Sequence, residues 1–574
     1  METIIEIKLC NQCWTSFDTT DKDIAFYDKI SPTFAGKKYA IPSPSLCPDC
    51  RQQRRLMFRN TRKLYRRKCD ATGKDIIAIH DASSPYKVYD DAIRRSDQWD
   101  PLEYGRMFDE KTPFFEQFYQ LSIDVPDSAI WSTNCVNCDY CHISMSSKNC
   151  YLLSWAVNSE DCLFGNIVWK CNNCIDGTYL YSCEQTYESI DCYNCFNLKY
   201  GQNCQSCSDS RFLLNCSNCQ KCFGCVGENN QQYSIFNKKY TKEDYEEEIK
   251  KYLPLTSETT EIIRNKIKII KQKIPFKYFE GLNNEESSGN YMYNCRDVAH
   301  SFDLKNSEDC KYIYTCDNGN NSYDLSYMGV AGGQRSYNII SSPEMYGSMC
   351  CFHCSNATNI AYCIKCVWCQ DCFGCVGLRD KSYCILNKQY TKAEYETEVG
   401  KIIDSLIAQW TWGEFFPVFV SPFAYNETEV MEYFPLTKEE AIAQGYQWKD
   451  EEEKIFSGPV YVPLSIDQYD EKIIGKEIAE KNKDEISQGI LKCKISGKPF
   501  RIIAQELDFY IKNHLPIPTK HPDARHMERM NKRNPRKLRD RKCMKCGVEI
   551  ETSYAPERKE LVYCEQCYNR EVYG

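Results

Sequence analysis

Through the middle of the chain, one apolar column recurs at every third residue. Between Cys135 and Cys225 sixteen cysteines stand at positions 135, 138, 141, 150, 162, 171, 174, 183, 192, 195, 204, 207, 216, 219, 222 and 225, all multiples of three. Written in rows of twenty-one, the segment aligns with itself: Cys141, Cys162, Cys183, Cys204 and Cys225 fall in one column. Cys150, Cys171 and Cys192 share another, where Leu213 takes the fourth place, and Leu153 stands in line with Cys174, Cys195 and Cys216. Leucine replacing cysteine marks columns that want an apolar side chain and not a ligand. Self-similarity at a fixed period predicts a β-solenoid of twenty-one-residue coils, each burying its inner face on its neighbours. Asp161, Asp191, Asn149 and Asn215 each precede an inward position, where their side chains suit a turn. A three-residue phase is foreign to plain strands, which alternate every two residues. Very short strands joined by corners would produce it, and so would extended left-handed segments.

A second array follows. SFDL at Ser301 and SYDL at Ser322 are twenty-one apart, as are Cys354 and Cys375. The segment CQKCFGCVGENNQQYSIFNKKYTKEDYE from Cys219 matches CQDCFGCVGLRDKSYCILNKQYTKAEYE from Cys369 at seventeen of twenty-eight positions. Each array is therefore expected to end in the same cap, followed by a helix that Thr241 or Thr391 opens as N-cap. FPLTKEEA, from Phe434, reads as another capped helix. The expected domains are an N-terminal module and adaptor (1–127), array I (128–232), a helical connector (233–290), array II with its cap (291–394), a mixed helical segment (395–485) and a C-terminal module (486–574).

No run of eighteen apolar residues occurs, so no membrane span is expected. The start METIIEIKLC lacks a basic region leading into an apolar run, which makes the cytoplasm the expected location. That compartment keeps thiols reduced, so thirty-eight cysteines read as metal ligands or buried free thiols and not as a disulfide framework.

The two ends are copies of one module. RNTRKLYRRKC from Arg59 and RNPRKLRDRKC from Arg533 agree at eight of eleven positions. Pro48, Asp49, Arg51 and Arg55 recur as Pro522, Asp523, Arg525 and Arg529, and Cys10, Phe17, Phe26 and Tyr27 as Cys493, Phe500, Phe509 and Tyr510. In the first copy Cys10, Cys13, Cys47 and Cys50 form a pair of C-x-x-C knuckles; in the second, Cys543, Cys546, Cys564 and Cys567 do. Two such turns close a tetrahedron of thiolates, which predicts two structural zinc ions in modules of zinc-ribbon or treble-clef type. The counterparts are eroded: Cys493, Ser496, His521 and Ala524 for the first site, and Cys69, Thr72, Asp90 and Ile93 for the second. Cys493 with His521 or His526 reads as a vestigial, hydrogen-bonded pair.

From Arg51 to Lys68 nine of eighteen residues are basic and none acidic, and Arg525 to Lys542 again has nine, in a chain of net charge −8. The first segment is expected to begin as a helix, with Leu56, Met57, Leu64 and Tyr65 inward and the arginines outward; Pro535 should break the second near Asn534. Arginine forks suit phosphate, so Arg51, Arg54, Arg55, Arg59, Arg62, Lys63, Arg66, Arg67, Arg525, Arg529, Arg533, Arg536, Lys537 and Arg541 are the candidate nucleic-acid contacts. A solvated charged face is the plain alternative. KCDATGK at Lys68 and KCKISGK at Lys492 are similar to a short string in some small ribosomal proteins, which favours RNA, ribosomal RNA included.

Cys216, Cys219, Cys222 and Cys225, with Cys366, Cys369, Cys372 and Cys375, also have the C-x2-C-x2-C spacing of ferredoxin clusters, without the following cysteine and proline. Thiol-filled core, further zinc and an iron–sulfur cluster are the readings there. Taken whole, the chain resembles cysteine-rich proteins recurrent in the small genomes of candidate-phyla-radiation bacteria. WDPLEYGRMFDEKTPFFEQF from Trp99, the CFGCVG caps and GEFFPVFVSPFAYNETEVMEYFPLTKEEA from Gly413 carry that resemblance, which implies a bacterial cytosolic protein and no activity. The expected function is a zinc-stabilised nucleic-acid-binding or ribosome-associated protein with a solenoid spacer. The alternatives are a scaffold binding proteins on the solenoid, or an iron–sulfur or thiol redox protein. No nucleophile elbow, phosphate-binding loop or H-E-x-x-H motif appears, so no catalytic residue is expected.

Overall fold

A computed structural model of the chain describes residues 2–329, 331–450 and 460–572; positions 451–459 of the expected mixed segment lie outside them. In the first array, parallel pairing links each residue to the one twelve further on: His142 to Ser154, Asn166, Thr178, Ile190 and Gln202 in turn. The second array pairs mostly with the same step, Gly289 to Ser301 and Phe302 to Tyr314, but opens on a shorter one, Gly281 to Met292, and lengthens where Asn320 pairs with Gln334 and Tyr323 with Tyr337. The expected twenty-one-residue coil is thus corrected to a twelve-residue step. Both periods are multiples of three, so either keeps cysteine in the inward phase. Only the shorter one stacks Cys138 under Cys150, Cys162 and Cys174, and Cys171 under Cys183, Cys195, Cys207 and Cys219.

Every third residue from Asn134 through Lys221 has φ near +50°. Four left-handed residues therefore turn the chain within each step, and these are the positions where Asn and Asp concentrate, the types that tolerate this conformation best. The corner reading of the three-residue phase holds. The residue after each corner points inward, and the cysteines of both arrays from Cys141 to Cys384 are almost wholly buried. Their thiols are hydrogen-bonded. Cys183 Sγ, for example, lies 3.5 Å from the Tyr181 carbonyl and 3.3 Å from that of Cys192. Core volume is balanced within a step: where Val168 or Leu180 points inward, Gly165 or Gly177 precedes it by three. A Cβ on those glycines would come within 2.6 or 2.3 Å of the larger side chain.

Each array closes in an antiparallel hairpin, Ser234–Ile235 with Lys238–Lys239 and Ser382–Ile385 with Lys388–Gln389. Helices Lys242–Glu248 and Lys392–Ala408 follow, capped by the Thr241 and Thr391 hydroxyls as expected, and Thr437 caps Lys438–Ala443.

The terminal modules match element by element, apart from a short hairpin of Thr33–Phe34 with Lys37–Lys38 that the first alone carries between its first two helices. The first runs β1 (Ile4–Leu9), β2 (Ser16–Thr20), α1 (Asp21–Ile30), α2 (Pro48–Leu56), β3 (Tyr65–Lys68), β4 (Asp75–Ala78), β5 (Val88–Tyr89) and α3 (Asp91–Arg95). The second runs β6 (Leu491–Lys492), β7 (Pro499–Phe500), α4 (Ala504–Asn513), α5 (Pro522–Lys532), β8 (Arg539–Lys542), β9 (Glu549–Thr552), β10 (Leu561–Tyr563) and α6 (Glu565–Val572). Helix α5 ends just ahead of Pro535. Each module docks on the array remote from it in sequence. Tyr27 of α1 meets Tyr337 of array II edge-on at 5.4 Å, and its counterpart Tyr510 of α4 meets Tyr187 of array I at 5.7 Å. No helix of the described residues is long and apolar enough to cross a membrane.

Candidate metal centres and the arginine clamps

In the first module Cys10 closes β1 and Cys13 lies in the following turn; Cys47 stands at the N-cap of α2, where Pro48 begins the helix and Cys50 completes its first turn. The second module repeats this downstream: Cys543 follows β8, Cys546 sits in the turn that Gly547 ends at φ +77°, and Cys564 and Cys567 flank the start of α6. Within each set the four sulfurs lie inside 4.8 Å of one another. Cys13 and Cys47 approach to 3.6 Å, and Cys546 and Cys564 to 3.7 Å. A tetrahedral thiolate site with bonds of about 2.3 Å has sulfur–sulfur edges of about 3.8 Å, so both sets could hold a metal ion. In each set one thiol is favoured as thiolate at the expense of its neighbours: Cys50 is pushed up by the Cys47 thiol and by burial, and Cys564 and Cys567 by burial and by the thiols beside them. The Cys50 thiol, its amide and the thiols of Cys13 and Cys10 donate to Cys47 and outweigh its burial, lowering it to about 5. Burial opposes the shift at Cys543, but the amides of Cys546, Cys564 and Lys545 bring it to about 6.

The eroded sites keep the loop and replace the ion. Cys69 follows β3, its amide bonded to the Lys74 carbonyl at 2.8 Å, as the Cys543 amide is bonded to Val548 at 2.8 Å. The Asp90 amide reaches Cys69 Sγ at 3.3 Å, as the Cys564 amide reaches Cys543 Sγ at 3.3 Å. Where a third cysteine would ligate, Asp90 and His521 cap helices instead, accepting from the amides of Ala92 at 3.0 Å and Asp523 at 3.1 Å. Cys493 is lowered to about 7 against its burial, by the Ser496 hydroxyl and amide and the His521 amide. His526 is not part of that cluster; its Nε2 pairs with Glu432 at 2.8 Å. Among the described residues, none of the array cysteines forms a group able to hold an ion, including the two C-x2-C-x2-C runs.

The basic strings do not lie as expected. Arg51, Arg55 and Arg59 are buried, as are Arg67, Arg525, Arg529 and Arg533, and the expectation that these arginines project outward is corrected. Arg51 and Arg55 share Asp324 at 2.9 and 3.1 Å; in the duplicate, Arg525 and Arg529 share Asp176 at 2.5 and 2.7 Å. Arg55 Nε further donates to the Ser326 hydroxyl at 3.4 Å and Arg529 Nε to Thr178 at 3.1 Å, two residues past each aspartate. Arg59 pairs with Glu429 and donates to Ser341, and Arg533 pairs with Asp191 and Asp303. Both then wedge between the arrays. The Arg59 guanidinium lies 4.1 Å from the Tyr327 ring and 5.0 Å from Trp155, and that of Arg533 lies 3.9 Å from Tyr179 and 4.4 Å from Tyr291.

The remaining basic candidates are spread between solvent and internal partners. Arg536 pairs with Asp303, Arg62 with Asp523 of the other module, and Arg67 with Asp70. Arg541 donates to the carbonyls of Ala555 and Glu560. Arg54 and Lys63 are half-buried, and only Arg66 and Lys537 of the candidates are exposed. Sequence reasoning missed the acidic partners. Asp176, Asp191, Asp303 and Asp324 all occupy left-handed corners, where Asn serves the backbone equally well, so nothing local distinguishes them. Comparison with known proteins finds no matching family model and no matching curated protein.

Proposed function

We propose that the chain is a zinc-stabilised interaction scaffold. In this reading two thiol-cored solenoids are held face to face by two duplicated zinc modules, and the assembly acts by binding other proteins on its outer surfaces. The observation that carries it is the burial of the arginines: guanidinium groups that would meet phosphate are already paired with internal carboxylates, chiefly Asp176, Asp191, Asp303 and Asp324 of the arrays and Glu429. A buried, doubly hydrogen-bonded pair leaves only through rupture of the interface, at a cost of several kcal/mol. Zinc fits sets of four cysteines with no open ligand position, the arrangement of a structural and not a catalytic site. Free thiols throughout the arrays suit a reducing, cytoplasmic setting. The redox reading has little support, since the array thiols from Cys141 to Cys384 are sealed from solvent and bonded to carbonyls.

The test is purification of the tagged protein from its host with and without nuclease, beside a titration of the pure protein with mixed-sequence RNA. A specific protein partner that survives nuclease and moderate salt is the expected result. Partners lost on nuclease treatment, together with tight RNA binding that falls steeply with salt, would overturn the scaffold reading in favour of the nucleic-acid one.

A further inference from the structure

The outermost strand of the first module is bare. Ile4, Ile5, Ile7 and Leu9 of β1 are each more than half exposed, Ile7 at 66%, and Trp14 in the adjoining knuckle reaches 73%. Strand β1 pairs with β2 along one edge, and among the described residues no other strand pairs with it. A free apolar edge is a template for another strand, and stable proteins normally cover or charge it.

The duplicate shows what belongs there. Counting from Cys10 and Cys493, Ile7 corresponds to Ile490. In the second module that residue is bridged by Val460, and the Tyr461 amide donates to the Ile490 carbonyl at 2.8 Å. The next residue, Leu491, is buried. One copy of the edge is thus met by a parallel bridge from a single residue of the chain's own, Val460, while the other lies open.

We infer that β1 is a self-association edge that pairs antiparallel with β1 of a second copy of this chain, centred on Ile7. The strand is self-complementary in that register. Ile7 meets Ile7 and Ile5 meets Leu9 on one face, while Glu6 meets Lys8 twice on the other. Opposite charges directly across a ladder stabilise it and like charges oppose it. In the single chain Glu6 and Lys8 lie 3.5 Å apart on the same face of the strand, and Lys8 also reaches the Ser43 hydroxyl. A two-fold pairing of this kind closes on itself and makes a dimer, not a fibre.

Sedimentation of the full, metal-loaded chain over a wide concentration range tests this. The weight-average mass should rise from 67.1 kDa toward twice that value. Glu6→Lys or Lys8→Glu alone sets like charges opposite each other at two places and should raise the dissociation constant about tenfold or more. The double exchange E6K/K8E restores both pairs and should return it to within about threefold of wild type. Circular dichroism and metal content confirm that each variant is folded. A chain that stays monomeric throughout, as it would if the edge served a different protein, overturns the inference. So does association that either single reversal leaves unchanged, or that the double exchange fails to rescue.

Discussion

Replacing Asp324 by alanine removes the carboxylate that Arg51 and Arg55 share and leaves two guanidinium groups buried beside each other. Asp324 is fully buried, and its contacts are 2.9 and 3.1 Å long. At an effective dielectric constant near 20, charge centres about 4 Å apart interact by about 4 kcal/mol, or about 8 kcal/mol for the two arginines together. Desolvation of the carboxylate, several kcal/mol, is recovered on its removal, which leaves a net loss of about 3–5 kcal/mol. Asp297→Ala in the same array is the control: its ion pair with Lys22 is also 2.9 Å long, but both side chains are more than two-fifths exposed. That pair should contribute less than about 1 kcal/mol. Chemical denaturation of the metal-loaded chain, followed by far-ultraviolet circular dichroism and by native-state proteolysis of array II, measures both. The triple variant R51M/R55M/D324L should recover most of the loss, because an apolar replacement of the whole cluster leaves no unpaired charge. If D324A proves no more destabilising than D297A while metal content stays normal, the arginines are not clamps and the argument from their burial fails.

Metal analysis should find two ions per chain and one after either Cys47→Ser or Cys543→Ser. Ser496→Cys with Ala524→Cys should rebuild the eroded site around Cys493 and His521 and raise the count to three; a count unchanged at two would refute common descent of the loops. Glu280 is pushed up to about 7 by burial and by nearby Asp191. Its folded form therefore holds a proton more tightly than the unfolded chain, and stability is lost as pH rises from the ordinary glutamate range through about 7. Glu280→Gln should match wild type at pH 5 and exceed it at pH 8 by on the order of 2–3 kcal/mol, with no gain at pH 8 counting against the shift. Alkylation of the native, metal-loaded protein should label Cys135 and Cys138, the half-exposed thiols at the open end of array I. The eight terminal cysteines should join only after chelation, and rapid native labelling of Cys216–Cys225 would contradict the sealed core.

Much of this protein was legible without coordinates. The inward phase of the arrays, their shared caps, the threonine N-caps and the pairing of one complete with one eroded knuckle in each module are all written in residues close together in sequence. A C-x-x-C turn, a hydroxyl three residues ahead of a helical amide or a thiol in every third place needs only its neighbours to be recognised. The step of the arrays was harder, because twenty-one and twelve share the same three-residue phase, and the parallel hydrogen bonds alone distinguish them. The direction of the arginines lay beyond sequence altogether. Arg51 finds Asp324 across 273 residues and Arg533 finds Asp191 across 342. A string of like charge reads as a surface until the fold brings a carboxylate to it. Charge acts through space, so only the docking of each module on the array far from it in sequence could decide that these cations face inward.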